Sequence, residues 1–416
     1  MDQKQQVSRH SPAVAAALLS WVLAVSPTSA AGASQTGTSA DSPAAFPAGR
    51  RAVRIAPGVT YQVIVDRKIP LRSYVLRFDP NGGASLEAVP AGMTLPATSR
   101  TVSMLKGEQA VAGINGDFVS WNRGSPVRAF AKDGTLLQTR VSGATDTLLG
   151  ITSPGVVPHV GATQMQITLD DPTHLAHWPI DSWNPGGHSK LSAGSDEVAG
   201  YTSYGGSSSL PPGNACSARL IDPSGPRWAD AAHSGIARSY TIDEVACADS
   251  GMPLSGGTVL TALRSESTAA EITALTPGTT VSVTWSLQGW SGITGVIGGN
   301  PLILDNGVNT VAPGCSTYLC SRNARTGVGV TAAGTIIMVV VDLAHGSNGV
   351  TLHDFADLLR GLGAINALNL DGNGSSTMWV KGKTVNQPGD PGRRVSSALA
   401  ILAGPDPDLH IDPPAA

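Results

Sequence analysis

Glycine and proline interrupt the apolar runs of this chain throughout its length. The 416 residues include 49 glycines and 29 prolines, and apolar runs such as 60–65 and 73–78 are short and bounded by turn-forming residues. This pattern predicts many strands and few long helices. With 41% hydrophobic and 14% charged residues, the chain holds enough apolar material for one large domain or two ordinary ones. We therefore expect an α+β fold with a β-rich mixed-sheet core and few helices.

The charge balance limits the possible partners. The formal net charge is -3, so the protein has no general positive field that would hold a polyanion. Nucleic acid and acidic membrane surfaces are therefore not expected as partners. Any recognition of phosphate has to come from a local arrangement of side chains and backbone N–H groups.

The N-terminal residues predict export. Lys4 and Arg9 precede an apolar stretch at 13–25, and small residues suited to cleavage follow near Ala30 to Ala33, so residues 1–33 are interpreted as a signal peptide. A membrane anchor is the alternative, but about 13 apolar residues are fewer than the roughly 20 that span a bilayer. We expect a secreted, extracellular protein with no membrane span after cleavage.

The rest of the chain divides by composition. Residues 34–50 are too poor in large apolar side chains to pack and are predicted to be a flexible linker. Residues 51–404 form the predicted main domain, and 405–416 a tail. Within the domain, the zone at about 161–290 changes character and is predicted to be an inserted subdomain or a set of long excursions.

All four cysteines, Cys216, Cys247, Cys315 and Cys320, lie beyond the predicted signal peptide. An even number in an exported chain favours disulfides. Three connectivities are possible, and Cys216 with Cys247 and Cys315 with Cys320 are the most local pairs. A zinc site is the alternative, but the spacing is not CxxC and no histidine lies near the cysteines at ligand spacing.

The C-terminal zone has the most regular pattern. Residues 327–331 and 335–341 are predicted to form a hairpin, and the continuous apolar run 336–341 is typical of a strand buried on both faces. A helix is predicted from Thr351, which begins a capping box, and a short strand follows at 366–370. The order strand, helix, strand predicts a crossover between parallel strands near the C-terminus.

Two aspartates follow these strands directly. In a parallel crossover, Asp342 and Asp371 would lie at the carboxyl edge of the sheet, where open sheets bind ligands. Neighbouring strand axes lie about 4.8 Å apart, and about twice that with one strand between them. Glycosidase carboxyl pairs are about 5 to 9.5 Å apart, so either arrangement permits a catalytic pair.

Six motifs in register resemble the phosphodiester glycosidase family. They are Asn115-Gly116-Asp117-Phe118; Gly298-Gly299-Asn300-Pro301-Leu302-Ile303 with Gly307; Arg325-Thr326-Gly327-Val328-Gly329; Asp342 with Ser347, Gly349 and Thr351; residues 367–378 around Leu370-Asp371-Gly372-Asn373-Gly374-Ser375-Ser376; and Arg393 before Val395 and Ala398-Leu399. Together they cover roughly 105–160 and 293–402. The family usually has three consecutive glycines after the aspartate, whereas Asn373 replaces the middle one here. Asparagine tolerates positive φ better than other non-glycine residues, so the loop can form.

The resemblance implies an enzyme that hydrolyses the C1–O bond of a glycosyl phosphodiester, such as an N-acetylglucosamine-1-phosphodiester in a cell-wall or extracellular glycan. Catalysis is assigned to Asp371, with Asp342 or Asp117 assisting, and Arg325 and Arg393 would hold the phosphate. The remaining predicted substrate contacts are Asn115, Asn369, Gly372, Asn373, Gly374, Ser375 and Ser376.

Two other functions also fit the sequence. One is a non-catalytic protein that binds polysaccharide or cell wall, and the other is a metal-dependent phosphodiesterase that cuts P–O. The loop after Asp371 does not match an EF-hand, since its sixth position is Ser376 and its twelfth is Gly382. No cofactor is required by the predicted reaction, and a structural or catalytic divalent cation stays open.

Overall fold

A computed structural model of the chain describes residues 51–68, 70–120, 124–139, 143–185, 191, 193–208, 210–223, 233–344 and 346–404. The predicted signal peptide, linker and tail lie outside these residues. Across the described ranges there are 25 β-strands and only three α-helices. The prediction of a β-rich core with few helices is confirmed.

The strands of the N-terminal part are β1 Val53–Ala56, β2 Val59–Asp66, β3 Leu71–Phe78, β4 Ser85–Pro90, β5 Ala112–Asn115, β6 Phe130–Lys132, β7 Thr135–Gln138 and β8 Thr145–Thr152. Those of the middle part are β9 His159–Asp171, β10 Ala176–Pro179, β11 Ser182–Trp183, β12 Ala199–Tyr201, β13 Ala215–Ile221, β14 Arg238–Ala248, β15 Thr258–Leu263 and β16 Thr280–Leu287. The C-terminal part adds β17 Ile293–Gly298, β18 Leu302–Asp305, β19 Val308–Asn309, β20 Arg325–Thr331, β21 Ile336–Val341, β22 Ala364–Asn369, β23 Met378–Val380, β24 Lys383–Thr384 and β25 Ser397–Leu402. The helices are α1 Thr101–Gly107, α2 Thr268–Ala274 and α3 Leu352–Gly361.

These strands form three sheets. The first has eight strands in the order β1-β2-β3-β21-β20-β22-β18-β19, and the third has five in the order β24-β23-β5-β25-β4. The second has twelve, in the order β11-β12-β15-β13-β14-β16-β9-β8-β17-β6-β7, with β10 paired to β9. Among the described strands, pairing is antiparallel except between β11 and β12.

The eight-stranded sheet contains the C-terminal elements anticipated from the sequence. β21 is buried along its whole length, as its continuous apolar run predicts. The Thr351 hydroxyl accepts a hydrogen bond from the Asp354 amide at 3.1 Å and caps α3. β20 lies between β21 and β22 and pairs antiparallel with both.

The two faces of this sheet bury different side chains. Val328 and Met338 belong to one core cluster, whereas Val339, Ile337 and Phe355 of α3 belong to another on the opposite face. Strand side chains alternate between faces, so residue parity decides where a side chain from β20 or β21 points. This parity becomes important for the predicted site residues.

The middle zone is continuous with the twelve-stranded sheet. β9 and β16 of this zone pair with each other, and β9 also pairs with β8, which precedes the zone. β8 in turn pairs with β17, which follows it. The strands of the zone therefore extend a sheet that begins and ends outside it.

The structure contains both disulfides of the local connectivity, Cys216–Cys247 and Cys315–Cys320. Cys216 and Cys247 are directly opposite each other on β13 and β14, with 3.9 Å between their Cα atoms. Cys315 and Cys320 close a short loop before β20, and Cys320 is buried against the α3 side of the eight-stranded sheet.

Candidate active site

Asp371, Asn115 and Asp117, three of the predicted site residues, lie where strands of different sheets end. Asp371 follows β22 of the eight-stranded sheet, and Asn115 ends β5 of the five-stranded sheet, two residues before Asp117. Gly298 ends β17 of the twelve-stranded sheet. The residues are far apart in sequence, and the strand ends bring them together.

Asn115 joins two of these sheets. Its side chain is fully buried, and its Nδ2 donates to the Asp371 carbonyl at 2.6 Å. Its Oδ1 accepts from the Thr326 hydroxyl at 2.9 Å and from the Thr377 amide at 3.0 Å. The Asp371 amide donates back to the Gly116 carbonyl at 3.1 Å. Asn115 therefore holds both ends of the loop 371–376 and does not itself present a free polar group.

The loop adopts the backbone that its sequence permits. Asn373 has φ of 56°, in the left-handed region that asparagine tolerates. A Cβ atom on Gly374 would lie 3.0 Å from Arg393 Nη2 and 3.1 Å from Asp390 Cβ. Glycine at 374 thus lets the Arg393 guanidinium approach the loop backbone closely.

Asp371 combines burial with an incomplete set of partners. Burial raises the pKa of its carboxyl to about 6, while a hydrogen bond from Ser375 and the charge of Arg393 act in the opposite direction. Its Oδ2 atom is buried and accepts no hydrogen bond from any described residue. The same holds for Asn369 Oδ1 and Ser376 Oγ. Because buried polar atoms are nearly always paired with protein, water or ligand, these three atoms, which lie within eight residues, are available to hydrogen-bond water or a ligand at the loop.

Asp117 is a second buried carboxyl. It is fully buried, and its Oδ1 and Oδ2 accept from the amides of Phe118 at 2.7 Å and Arg128 at 2.9 Å. Burial outweighs these bonds and the charge of Arg128, and it raises the pKa of Asp117 to about 7. In Asp117 and Asp371, burial thus moves the pKa of a carboxyl from its ordinary acidic value towards neutral pH, a common property of acid–base residues.

Arg128 and Asp146 complete a charge network around Asp117 that sequence analysis missed. The Arg128 guanidinium forms an ion pair with Asp146 and donates to Asn300 Oδ1 at 2.9 Å. Asn300 exchanges backbone and side-chain hydrogen bonds with Asn369, two residues before Asp371. Neither Arg128 nor Asp146 belongs to a motif, and they meet only through the pairing of β6 and β8 with β17.

Asp342 is a connecting residue in this structure. Its carboxylate accepts from Asn386 Nδ2 at 3.1 Å and from the Gln387 amide at 3.1 Å and 3.2 Å, and a hydrogen bond joins it to Tyr74. Burial, followed by the Asp342 charge, raises the pKa of Tyr74. Asn386 in turn contacts the Ser376 carbonyl and the Met378 amide at 2.9 Å and 2.7 Å. Asp342 thereby supports the segment that follows the Asp371 loop.

The two predicted phosphate-binding arginines are in different environments. Arg393 lies over Gly374, pairs with Asp390 at 3.2 Å and is partly exposed. Arg325 points to the α3 side of β20, where it is buried and donates to the carbonyls of Ser321 and Val350. Burial lowers the pKa of Arg325 to about 10. The structure therefore brings Arg393 to the Asp371 loop, whereas Arg325 lies on the face opposite Thr326.

The described ranges hold neither a clustered set of cation ligands nor a membrane-spanning helix. They contain no group of three or more histidine, cysteine, aspartate and glutamate side chains arranged to hold a metal ion. None of their helices is long and apolar enough to cross a membrane.

Known proteins resemble the chain in sequence and in fold. Residues 233–402 match the family model described as "Phosphodiester glycosidase". An N-acetylglucosamine-1-phosphodiester alpha-N-acetylglucosaminidase from Mus musculus is 35% identical over 75 residues, which are 18% of this chain and 14% of the mouse protein. The chain therefore matches only a small part of that relative's length.

Two crystal structures share the fold over most of the chain. A hypothetical protein from Synechocystis has a TM-score of 0.63 at 20% identity and covers 83% of this chain and 62% of its own. A protein from Burkholderia pseudomallei has a TM-score of 0.56 at 25% identity, with coverages of 80% and 74%. The loop 371–376, Asp342 and Arg393 lie within the matched range, while Asn115 and Asp117 precede it. Over residues 233–402 the chain is thus related to the phosphodiester glycosidases, and the family resemblance found in the sequence is confirmed.

Proposed function

We propose that this chain is a secreted glycosidase that hydrolyses the C1–O bond of a glycosyl phosphodiester in a cell-wall or extracellular glycan. The observation that carries the proposal is the environment of Asp371. One of its carboxyl oxygens is buried without a partner among the described residues, and it lies on a loop whose glycine at 374 admits the Arg393 guanidinium. The family match over 233–402 supports the same reaction class.

The chemistry of the leaving group suits this arrangement. When water attacks C1, its oxygen forms the new bond to the sugar, and the electron pair of the broken C1–O bond leaves on the phosphate oxygen. The departing phosphate monoester has a second pKa of about 6, so it needs little protonation to leave. The site then needs a carboxylate to activate the attacking group and a cation to hold the phosphate.

In our proposal, Asp371 is the carboxylate that acts at C1 and Arg393 is the phosphate-binding cation. A guanidinium forms paired hydrogen bonds with phosphate oxygens, and the Arg393 side chain is accessible enough to do so. Asp117, which holds its proton to about pH 7, assists as a proton donor. Asp342 acts as a positioning residue through Asn386. Ser375, Ser376, Asn369 and the loop backbone contact the substrate.

Secretion is part of the proposal. Its support is the predicted signal peptide at 1–33 together with two disulfides, which persist in oxidising compartments.

The test separates C1–O from P–O cleavage. The purified protein is incubated with an aryl or UDP-linked α-N-acetylglucosamine phosphate in water enriched in oxygen-18, and the products are analysed by mass spectrometry. We expect free N-acetylglucosamine that carries the label at C1, with activity retained in chelator. Labelled phosphate with sugar phosphate as product would show a phosphodiesterase instead, and a loss of activity in chelator would then identify that enzyme as metal-dependent.

The matched variants are Asp371→Asn and Asp305→Asn. Asp305 is an exposed aspartate at the end of β18, so its substitution should leave turnover unchanged. We expect Asp371→Asn to reduce kcat by at least about 1000-fold, the range seen when residues of a catalytic group are removed. Undiminished turnover in Asp371→Asn would remove the central residue of the proposal.

A further inference from the structure

The twelve-stranded sheet carries a cavity that shares no lining residue with the candidate active site. It has a volume of about 200 Å³ and lies between the hairpin of β6 and β7 and the strands β14 and β16. The whole chain has eight tryptophans and six tyrosines, and four of these line the cavity: Trp183, Tyr204, Tyr240 and Trp285. This concentration of flat amphipathic rings points to a ligand with flat apolar faces.

Two of the rings are fixed by the surrounding backbone. Trp285 Nε1 donates to the Gly134 carbonyl at 2.8 Å, so the polar edge of the indole is satisfied and its carbon surface can face a ligand. Trp183 lies against Gly200, where any Cβ atom would overlap the indole ring. Tyr240 is held by a hydrogen bond to Thr258. Rings that are held in place lose little further freedom when a ligand binds.

Polar groups accompany the rings. Arg238 and Asp222 form an ion pair in the cavity wall. His233 Nδ1 lies 2.9 Å from the Ser234 carbonyl, so Nδ1 carries a proton and, in the neutral ring, Nε2 accepts a hydrogen bond. Thr135 Oγ1, also in the wall, is buried and has no hydrogen-bond partner among the described residues. The cavity thus offers both donors and acceptors, and its charges compensate each other.

We propose that this cavity is a second saccharide site that binds one uncharged pyranose unit of a glycan. Aromatic faces stack on the C–H faces of a sugar ring, and the ion pair and histidine match its alternating hydroxyls. The compensated charge disfavours a phosphate or a sugar acid. The volume lies below the roughly 300 to 1,000 Å³ of pockets for drug-sized ligands, which fits a single ring rather than an oligosaccharide.

The test uses the full chain and four uncharged probes, the methyl α-glycosides of glucose, galactose, mannose and N-acetylglucosamine. Saturation-transfer NMR is recorded on the wild type, Asp371→Asn, Ile236→Trp and Val308→Trp. Ile236 lines the cavity and is 48% exposed, and Val308 is 64% exposed on β19. Tryptophan at 236 fills the mouth of the cavity, and tryptophan at 308 is the matched control for an added exposed indole.

We expect at least one glycoside to receive saturation in the wild type, Asp371→Asn and Val308→Trp, with a loss of at least tenfold in Ile236→Trp. Arg238→Lys keeps the charge and the ion pair but removes the planar guanidinium fork, and it should weaken sugar binding at least fivefold. This variant tests the cavity even if Ile236→Trp does not fold. No saturation of any probe would overturn the proposal. A signal that is equal in Ile236→Trp and Arg238→Lys, or that is lost in Asp371→Asn, would place sugar binding outside this cavity and would also overturn it.

Discussion

The buried carboxyl of Asp117 makes a quantitative prediction about stability and pH. Its pKa lies at about 7 in the folded protein, compared with an ordinary value of 3.8. Because the folded state binds this proton more tightly, the contribution of Asp117 to the free energy of unfolding is largest in acid and falls as pH rises from about 4 to about 7. At 1.36 kcal/mol per pKa unit, the fall between pH 4.5 and pH 8 is about 3 kcal/mol.

Asp117→Asn removes this titration. The amide loses one of the two backbone hydrogen bonds that Asp117 accepts, from Phe118 and Arg128, which lowers stability at every pH by about 1 to 3 kcal/mol. This loss is the same at both pH values, so it does not affect the change in the free energy of unfolding that each protein shows between them. We therefore expect the wild type to lose about 3 kcal/mol more than Asp117→Asn between pH 4.5 and pH 8.

The assay is urea unfolding at pH 4.5, 6 and 8, followed by tryptophan fluorescence. Asp305→Asn is the control, since an exposed carboxyl should leave the pH dependence of the wild type unchanged. Parallel pH curves for the wild type and Asp117→Asn would mean that the Asp117 carboxyl is ionised throughout, and its proposed role as a proton donor would be refuted.

Three further predictions concern catalysis. The value of kcat/KM should rise with pH through about 6 as Asp371 ionises and fall above about 7 as Asp117 loses its proton, and a rate that is flat between pH 5 and 8 contradicts both roles. Arg393→Lys should reduce kcat/KM for the phosphodiester about 10- to 100-fold, because hydrogen bonds to charged groups contribute about 1.5 to 3 kcal/mol. The neighbouring Arg394→Lys should have no such effect, and equal losses would argue against a specific phosphate contact. Gly298→Ala would place a Cβ atom 2.8 Å from Asp117 Oδ2, and it should lower the free energy of unfolding by about 1 to 3 kcal/mol and reduce activity. Gly295→Ala on the same strand is the control and should be tolerated in the same unfolding and turnover assays.

Local sequence patterns were sufficient to predict much of the secondary structure of the C-terminal zone. The capping box at Thr351 predicted the start of α3, because the side chain and the amide that it caps are three residues apart. The apolar run 336–341 predicted a fully buried strand, because both faces of β21 are covered. The positive φ of Asn373 followed from the tolerance of asparagine for that region. In each case the signal and the structure lie within one short segment.

Predicting the site required information on strand pairing and side-chain orientation that no short segment contains. Arg128 meets Asp117 and Asp146 only because β6 and β8 both pair with β17, and no motif marks that pairing. Arg325 and Arg393 have the same chemistry in the sequence, yet strand parity sends Arg325 to the α3 side. Gly327 packs against Phe355 of α3, so the odd-numbered residues of β20, including Arg325, face the helix. The glycines at 327 and 329 are the sequence feature that could have indicated this orientation.

Because the site lies between sheets, its geometry depends on how those sheets pack against each other. Asp371 and Asp117 are carried by different sheets, and the core between them includes Ile114 and Leu370. A change in the volume of those apolar side chains would shift one sheet against the other and so alter the spacing of the two carboxyls, although neither carboxyl is touched. The catalytic rate would then depend on packing in the core. Substitutions at buried aliphatic positions would change the spacing of the reactive groups while the groups themselves stay the same.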